Sequence, residues 1–302
     1  MAFRMLPHDD RDRVRQVSQV PPPMGRRRRA ARRTLAVLPT LLTLGNCLCG
    51  FLAVFFASRI QPSDRMAWHW SPLTIGAAFI FLGMIFDALD GRVARLTRYT
   101  SDLGEQLDSM ADMVTFGVAP AYLVAQLVIR GATPYFASDN MDDYFGRAAL
   151  VVACIYVACA ALRLARFNIE VESDDVKDHL HFEGLPSPGA AGTVAALVLL
   201  HEKQWDNPTH QQWPVNAIGI GMVVIMLMVA LAMVSRLRYV HLTNRYLRER
   251  APIQYIAMLV IGVLLVLIHL QGALAAAFVA YAVSAPIVWL WFKMRPRKPL
   301  AA

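Results

Sequence analysis

The chain has 302 residues, of which 56% are hydrophobic, and its mean hydropathy of +0.41 is high for a soluble protein. Apolar runs near the length that crosses a bilayer recur along it, so a polytopic membrane protein is predicted and a large soluble domain is excluded. The net charge of +8 is carried by residues that flank the apolar runs, which indicates topology signals and contact with anionic membrane lipids, and not a nucleic-acid partner.

Residues 1–35 form a polar segment rich in arginine and proline, with the run RRRRAARR near its end. Asp9, Asp10 and Asp12 argue against a mitochondrial transit peptide, and no convincing cleavage site precedes the first apolar run. The segment is therefore predicted to be a flexible, basic cytoplasmic tail.

Eight apolar segments then predict an all-α bundle of about eight transmembrane helices. They cover residues 39–58, 72–93, 104–129, 147–166, 184–201, 215–234, 253–270 and 272–292. If the N-terminus is cytoplasmic, all but five of the 30 lysines and arginines fall on the cytoplasmic side, as the positive-inside rule requires. The five exceptions are Arg59, Arg65, Arg130, Arg147 and Lys203. Both termini are therefore predicted to be cytoplasmic.

The segment around the cytoplasmic ends of the second and third spans carries four aspartates. Asp87 and Asp90 are three residues apart and Asp108 and Asp112 are four apart, so each pair lies on one face of its helix. Two antiparallel helices joined by a short loop would aim all four carboxylates at one point. Small residues beside them leave space for close packing or a bulky ligand. They are Gly91, Ala94 and Gly104.

Four carboxylates this close repel one another, and a charge at the bilayer centre costs about 2.5–3.5 kcal/mol on insertion scales. Divalent cations would relieve the repulsion, and hard oxygen ligands suit Mg²⁺, Mn²⁺ or Ca²⁺. Two such ions would allow a displacement at phosphorus. Arg92, Arg95 and Arg98 add guanidinium groups, which bind phosphates. The combination predicts a substrate with phosphates at one end and lipid at the other; the alternative is a set of interfacial caps and salt bridges.

These residues meet the pattern D-x2-D-G-x2-A-R-x8-G-x3-D-x3-D without gaps. The pattern resembles the signature of the CDP-alcohol phosphotransferase family, whose members transfer a phosphoalcohol from a CDP-linked donor to a hydroxyl and release CMP. The resemblance implies that Asp87, Asp90 and Asp108 hold two ions, Mg²⁺ or Mn²⁺, and that Asp112 helps to hold one of them and acts as general base. It also implies binding of the CDP and its phosphates by Gly91, Ala94, Arg95, Ser101 and Gly104.

Further segments resemble the phosphatidylserine synthase branch of that family. They are LPTLLTLGNCLCGFLAV at 38–54, ALRLARFN at 161–168, FEGLPSPGAAG at 182–192 and MVSRLRY at 233–239. Thr40 departs from the branch, which usually has asparagine there. The resemblance implies CDP-diacylglycerol as donor, L-serine as acceptor, direct transfer without a covalent enzyme intermediate, and a possible homodimer. It divides the chain into the tail, a six-helix core over 36–240, and residues 241–302 with two additional helices and a short basic end.

The residues that choose the acceptor must lie outside the aspartate motif. Arg163 and Arg166 share one face at the cytoplasmic end of the fourth predicted span and could bind the serine carboxylate or a donor phosphate. Asn168 and Ser187 are further candidates for this pocket. The alternative for both arginines is that they are positive-inside anchors, and spacing alone does not separate the two.

Three other functions compete with the transfer of a phosphatidyl group to serine. A sister transferase would use glycerol phosphate or inositol phosphate and would want a more basic pocket. A divalent-cation transporter would place its carboxylates near the bilayer midplane with access from both sides, and a non-catalytic lipid-binding scaffold would need no base. The charge pattern favours a bacterial inner membrane, with the active site facing the cytoplasm.

Overall fold

The computed structural model describes residues 26–59, 70–97, 102–129, 139–172, 182–205, 212–235, 237–239 and 269–294. Within these ranges the chain is helical, apart from two strands of two residues each. The elements are α1 (Arg26–Ala57), α2 (Pro72–Thr97), α3 (Asp102–Asp112), a π-helical segment (Met113–Val118), α4 (Ala119–Ile129), α5 (Asp139–Glu172), β1 (Phe182–Glu183), α6 (Ser187–Trp205), α7 (Gln212–Val234), β2 (Arg238–Tyr239) and α8 (Leu270–Met294). The predicted all-α fold class is confirmed for this part of the chain.

Among the residues that the structure describes, six helical stretches are long and apolar enough to cross a membrane, which makes the protein a multi-pass membrane protein. They are Leu38–Ala57, Pro72–Ala94, Leu103–Ile129, Asp139–Ile169, Val215–Val234 and Leu270–Val288. The fifth predicted span corresponds to α6, a helix of 19 residues that is not among the six, since its last turns are polar. The seventh predicted span, 253–270, lies almost wholly outside the described residues.

Local sequence explains where the helices begin. Ser71 precedes α2, and its hydroxyl accepts a hydrogen bond from the Thr74 amide at 3.1 Å, which caps the first turn. At α5 the helix begins well before the predicted span 147–166. Asp139 and Asp142 in its first turn favour the positive end of the helix dipole, and Arg147 donates to Asp143 at 2.7 Å one turn further on. The apolar run alone therefore predicted a shorter helix than the structure has.

Close contact between α1, α2 and the π segment positions the functional site. A Cβ atom added to Gly50 would lie 2.8 Å from the Cα of Thr115, and one added to Gly83 would lie 2.9 Å from Oδ1 of Asn46. Glycine at position 50 lets the backbones of α1 and the π segment approach closely, and glycine at position 83 makes room for the side chains of Thr115 and Asn46 against α2. The Thr115 hydroxyl donates to the Asn46 carbonyl at 2.8 Å, which ties the π segment to α1.

The π segment begins directly after Asp112, and its middle residues, Thr115, Phe116 and Gly117, are buried. Such wide turns inside helices are frequent at functional sites. The hydroxyl of Tyr156, a fully buried residue of α5, donates to the Phe116 carbonyl at 3.0 Å. Phe116 is itself fully buried. The wide turn is thus held from α1 on one side and from α5 on the other, which determines the direction in which α3 presents its carboxylates.

A two-residue antiparallel pair holds the segment that precedes α6. Phe182 is paired with Tyr239 and Glu183 with Arg238. Gly184 follows with a φ of +89°, and its amide donates to the Leu237 carbonyl at 2.9 Å. A residue with a side chain would be strained by the left-handed backbone conformation at that position, and its Cβ atom would collide with the Met233 carbonyl. This turn places the first residue of α6 against the end of α7.

Candidate metal centre and acceptor pocket

Three aspartates from two helices meet at the centre of the site. Asp87 and Asp90 lie near the C-terminal end of α2, and Asp108 lies on α3. One carboxylate oxygen of each lies within 4.8 Å of the other two. Asp112, one turn beyond Asp108, is close enough to Asp87 and Asp108 to interact with their charges. Three of the four carboxylates that were predicted to converge therefore meet in the structure, and Asp112 lies outside the group of three.

The donor set fits a hard divalent cation. All three groups are carboxylates, which Mg²⁺, Mn²⁺ and Ca²⁺ prefer as ligands. Oδ1 of Asp108 is buried, and among the described residues it has no hydrogen-bond partner. A buried oxygen of this kind is costly unless something compensates for its lost hydration. The cluster is thus able to bind a metal ion.

Two residues of α1 bind the aspartates, and neither was among the predicted site residues. The Thr43 hydroxyl donates to Oδ2 of Asp90 at 3.0 Å, and the Asn46 side-chain amide donates to Oδ1 of Asp112 at 3.0 Å. Both residues are buried. The available signal was a pair of polar residues, three apart, inside an otherwise apolar helix. Such residues are expensive in a membrane and need a polar partner.

Asn46→Ala is expected to lower kcat about tenfold or more, because a hydrogen bond to a charged group contributes about 1.5–3 kcal/mol. The variant removes the donor that orients Asp112 and leaves that carboxylate unsupported. Steady-state release of CMP by the purified protein measures the effect. Asn140→Ala, the same change at an exposed residue in the first turn of α5, is the control. A wild-type kcat with unchanged thermal stability would show that Asp112 does not depend on Asn46.

The predicted CDP-binding residues border an open side of the cluster. Gly91 is exposed, and a Cβ atom added to it would meet nothing within 4 Å. Ala94 and Gly104 are partly exposed on the facing ends of α2 and α3. The backbone of Arg95 belongs to α2, whereas its side chain and the whole of Ser101 lie outside what the structure describes. The binding of CDP by these residues stays a prediction.

The four candidates for the acceptor pocket have different surroundings. Arg163 of α5 donates to the hydroxyl of Ser187, the first residue of α6, and its charge interacts with Asp112 and Asp87. Arg166 points instead to the Val234 carbonyl at the end of α7, at 3.5 Å. Asn168 accepts a hydrogen bond from Ser109 of α3 at 3.1 Å.

The pair Arg163–Ser187 is therefore the one beside the acidic cluster. Arg166 and Asn168 connect α5 to neighbouring helices. Asn168 contacts Ser109, the residue that follows Asp108. A guanidinium group near two carboxylates is able to receive an anionic group of a substrate. The geometry thus offers acidic ligands for metal, one carboxylate held by an amide, and one arginine for an anion.

Comparison with known proteins identifies the family of the chain. The family model described as CDP-alcohol phosphatidyltransferase matches residues 36–234. A CDP-diacylglycerol–serine O-phosphatidyltransferase of Helicobacter pylori is 30% identical over 262 residues, which cover 86% of this chain and 94% of that protein. Proteins of the same name from Methanocaldococcus jannaschii (30% over 213 residues, 70% and 78% covered) and Saccharomyces cerevisiae (41% over 164 residues, 52% and 50% covered) are also similar. The chain therefore belongs to the CDP-alcohol phosphatidyltransferase family.

Proposed function

We propose that the protein transfers the phosphatidyl group of CDP-diacylglycerol to the hydroxyl of L-serine and releases phosphatidylserine and CMP. The observation that carries the proposal is the meeting of Asp87, Asp90 and Asp108 within 4.8 Å, in a chain of this family. Serine as acceptor is supported by the names of the similar proteins from bacteria, an archaeon and yeast. No described feature favours a phosphorylated acceptor.

In this proposal the aspartate cluster holds two divalent ions, Mg²⁺ or Mn²⁺. Asp87, Asp90 and Asp108 are the ligands, and Asp112 helps to hold one ion. When bound, the ions supply positive charge that stabilises the phosphoryl oxygens and the departing phosphate of CMP. Gly91 leaves an open approach for the nucleotide, in keeping with its exposed position.

The chain's own residues carry the proton and orient the acceptor. Asp112 takes the proton of the serine hydroxyl while the hydroxyl oxygen forms a bond to the phosphorus that carries diacylglycerol. The bond from this phosphorus to the CMP oxygen breaks, and CMP leaves with the electron pair. The Asn46 side-chain amide donates to Oδ1 of Asp112, so Oδ2 of Asp112 is the oxygen that takes the proton. Arg163, fixed by Ser187, binds the carboxylate of serine.

The proposed topology has eight spans and both termini in the cytoplasm. Its domains are the basic tail 1–35, the six-helix core 36–240 and the two-helix segment 241–302. α6 is the fifth span in this arrangement, and 253–270 is the seventh. The membrane is then a bacterial inner membrane, with the active site facing the cytoplasm. A homodimer is proposed only because the resemblance to the family implies one. Labelling single cysteines from each side of the membrane tests the orientation, and labelling of a cysteine at position 98 from outside the cell would contradict it.

The test of function is an assay of the purified protein with CDP-diacylglycerol, labelled serine and Mg²⁺ or Mn²⁺. Formation of labelled phosphatidylserine with equimolar CMP is the expected result. Glycerol phosphate and inositol phosphate, each in place of serine, separate the sister activities. CMP release with one of those and none with serine would reassign the acceptor. No CMP release with any acceptor would overturn the assignment as an enzyme.

A further inference from the structure

Helix α8 lies outside the residues that the family model matches, yet it packs in a defined position along α6. The Phe278 ring fills the space beside Gly192, where any side chain would collide with it. The Thr193 hydroxyl donates to the Gly189 carbonyl of its own helix at 2.8 Å and also lies 3.2 Å from the Phe278 carbonyl. One turn further along α8, the Tyr281 ring lies against Gly189, and a Cβ atom added there would be 2.9 Å from its Cε1. These contacts define the position of α8 along α6.

This position brings Tyr281 to the pocket that contains Arg163. Gly189 is two residues after Ser187, which accepts the hydrogen bond from Arg163. Tyr281 and Arg163 are close enough to interact electrostatically, and Arg163 interacts in the same way with Asp112. A residue of the last helix therefore reaches the acceptor side of the metal cluster.

Arg163 has a second tyrosine neighbour, but that hydroxyl has another role. Tyr156 also lies near Arg163 and is fully buried. Its hydroxyl donates to the Phe116 carbonyl at 3.0 Å, so it braces the π segment. Tyr281 is only partly buried and belongs to α8, whereas Tyr156 belongs to α5. A phenolic oxygen there is suited to accept a hydrogen bond from a guanidinium group.

We propose that Tyr281 is a positioning residue for the acceptor: together with Ser187 it holds Arg163 in the orientation that binds the carboxylate of the amino-acid substrate. The inference rests on the proposed transfer to serine. A guanidinium group binds a carboxylate through two parallel hydrogen bonds, so its plane must be aimed correctly. Ser187 accepts a hydrogen bond from the group, and Tyr281 supplies a second restraint. The last helix thereby contributes to acceptor binding, although the catalytic aspartates all lie on α2 and α3.

The test compares Tyr281→Phe with wild type in the full-length purified protein. Loss of the hydroxyl is expected to raise KM for L-serine about tenfold, the usual effect of losing a hydrogen bond to a charged group. The kcat value and KM for CDP-diacylglycerol are expected to stay within about twofold, because the ring still packs on Gly189. Combined with Arg163→Lys, Tyr281→Phe is expected to have no further effect, since it acts through the guanidinium group.

Two control variants separate positioning from packing. Tyr144→Phe makes the same change at an exposed residue in the first turns of α5 and is expected to leave every constant unchanged. Phe278→Leu weakens the contact between α8 and α6 without removing the hydroxyl, so it is expected to lower the melting temperature and to leave KM for serine unchanged.

The outcomes distinguish this inference from the proposed function. An active wild-type enzyme, with an unchanged KM for serine in Tyr281→Phe, overturns the role of Tyr281 and leaves the function intact. Equal increases in both KM values, or full additivity with Arg163→Lys, indicate a structural role and overturn it as well. A wild-type protein that makes no phosphatidylserine overturns the function and the inference together.

Discussion

Asp112→Asn is expected to lower kcat for phosphatidylserine formation by about 10²–10⁴-fold, the range typical of a general base. The amide keeps the size of the side chain and is able to preserve a contact with Asn46, but it has no basic oxygen to take the serine proton. Rates of CMP release at saturating serine and CDP-diacylglycerol measure the effect. Residual activity above about a tenth of wild type would contradict the assignment of Asp112 as base.

The control is Asp143→Asn, the same change at an exposed residue of α5. Asp143 pairs with Arg147 one turn away, and such surface pairs contribute little. Its kcat should equal that of wild type. Titration with Mn²⁺ adds a second readout, because a residue that is mainly a base affects metal affinity less than a ligand does. Asp112→Asn is therefore expected to weaken Mn²⁺ binding less than Asp108→Asn.

Removal of divalent ions by a chelator is expected to abolish CMP release, and Mg²⁺ or Mn²⁺ is expected to restore it. The physical reason is the cluster of Asp87, Asp90 and Asp108, whose charges repel one another when no cation lies between them. Binding also stabilises the fold: a free ion concentration 100 times the Kd adds about 2.7 kcal/mol to the free energy of unfolding. A rise in melting temperature on addition of Mn²⁺ measures this without any substrate.

Asp108→Asn is expected to affect stability differently in the absence and in the presence of the metal ion. In the metal-free protein it removes one of the repelling charges, so the melting temperature is expected to equal or exceed that of wild type. With Mn²⁺ present the variant is expected to lose most of the stabilisation and nearly all activity. Asp143→Asn again serves as the control and should respond to Mn²⁺ as wild type does. A full Mn²⁺ shift in Asp108→Asn would show that this carboxylate is not a ligand.

The positions of the spans were largely predictable because each apolar run is also a helix. The runs 72–93, 104–129 and 215–234 agree with helical stretches of the structure to within a residue or so. α5 was underestimated, since its first turns are polar and are stabilised by Asp139 and by the Asp143–Arg147 pair. Hydropathy reports burial in lipid, whereas a helix continues as long as local interactions support it.

The pairing of the aspartates was predictable for a related reason. Spacings of three and four place side chains on one face of a helix whatever surrounds it, so Asp87 with Asp90 and Asp108 with Asp112 could be assigned from sequence. The contribution of α1 was not predictable in this way. Thr43 and Asn46 are polar residues inside an apolar helix, and no spacing rule states which helix they face.

By itself, the sequence determined the membrane class, the helical faces of the aspartates and the resemblance that named the family, because these depend on composition and on short, regular spacings. Tertiary structure decided that Asn46 holds Asp112, that Arg163 rather than Arg166 lies beside Ser187, and that Tyr281 of α8 packs on Gly189, two residues from Ser187. Each of these contacts joins residues far apart in the chain. They depend on how closely the helices approach, and that distance is determined at Gly50, Gly83 and Gly189 by the absence of a side chain.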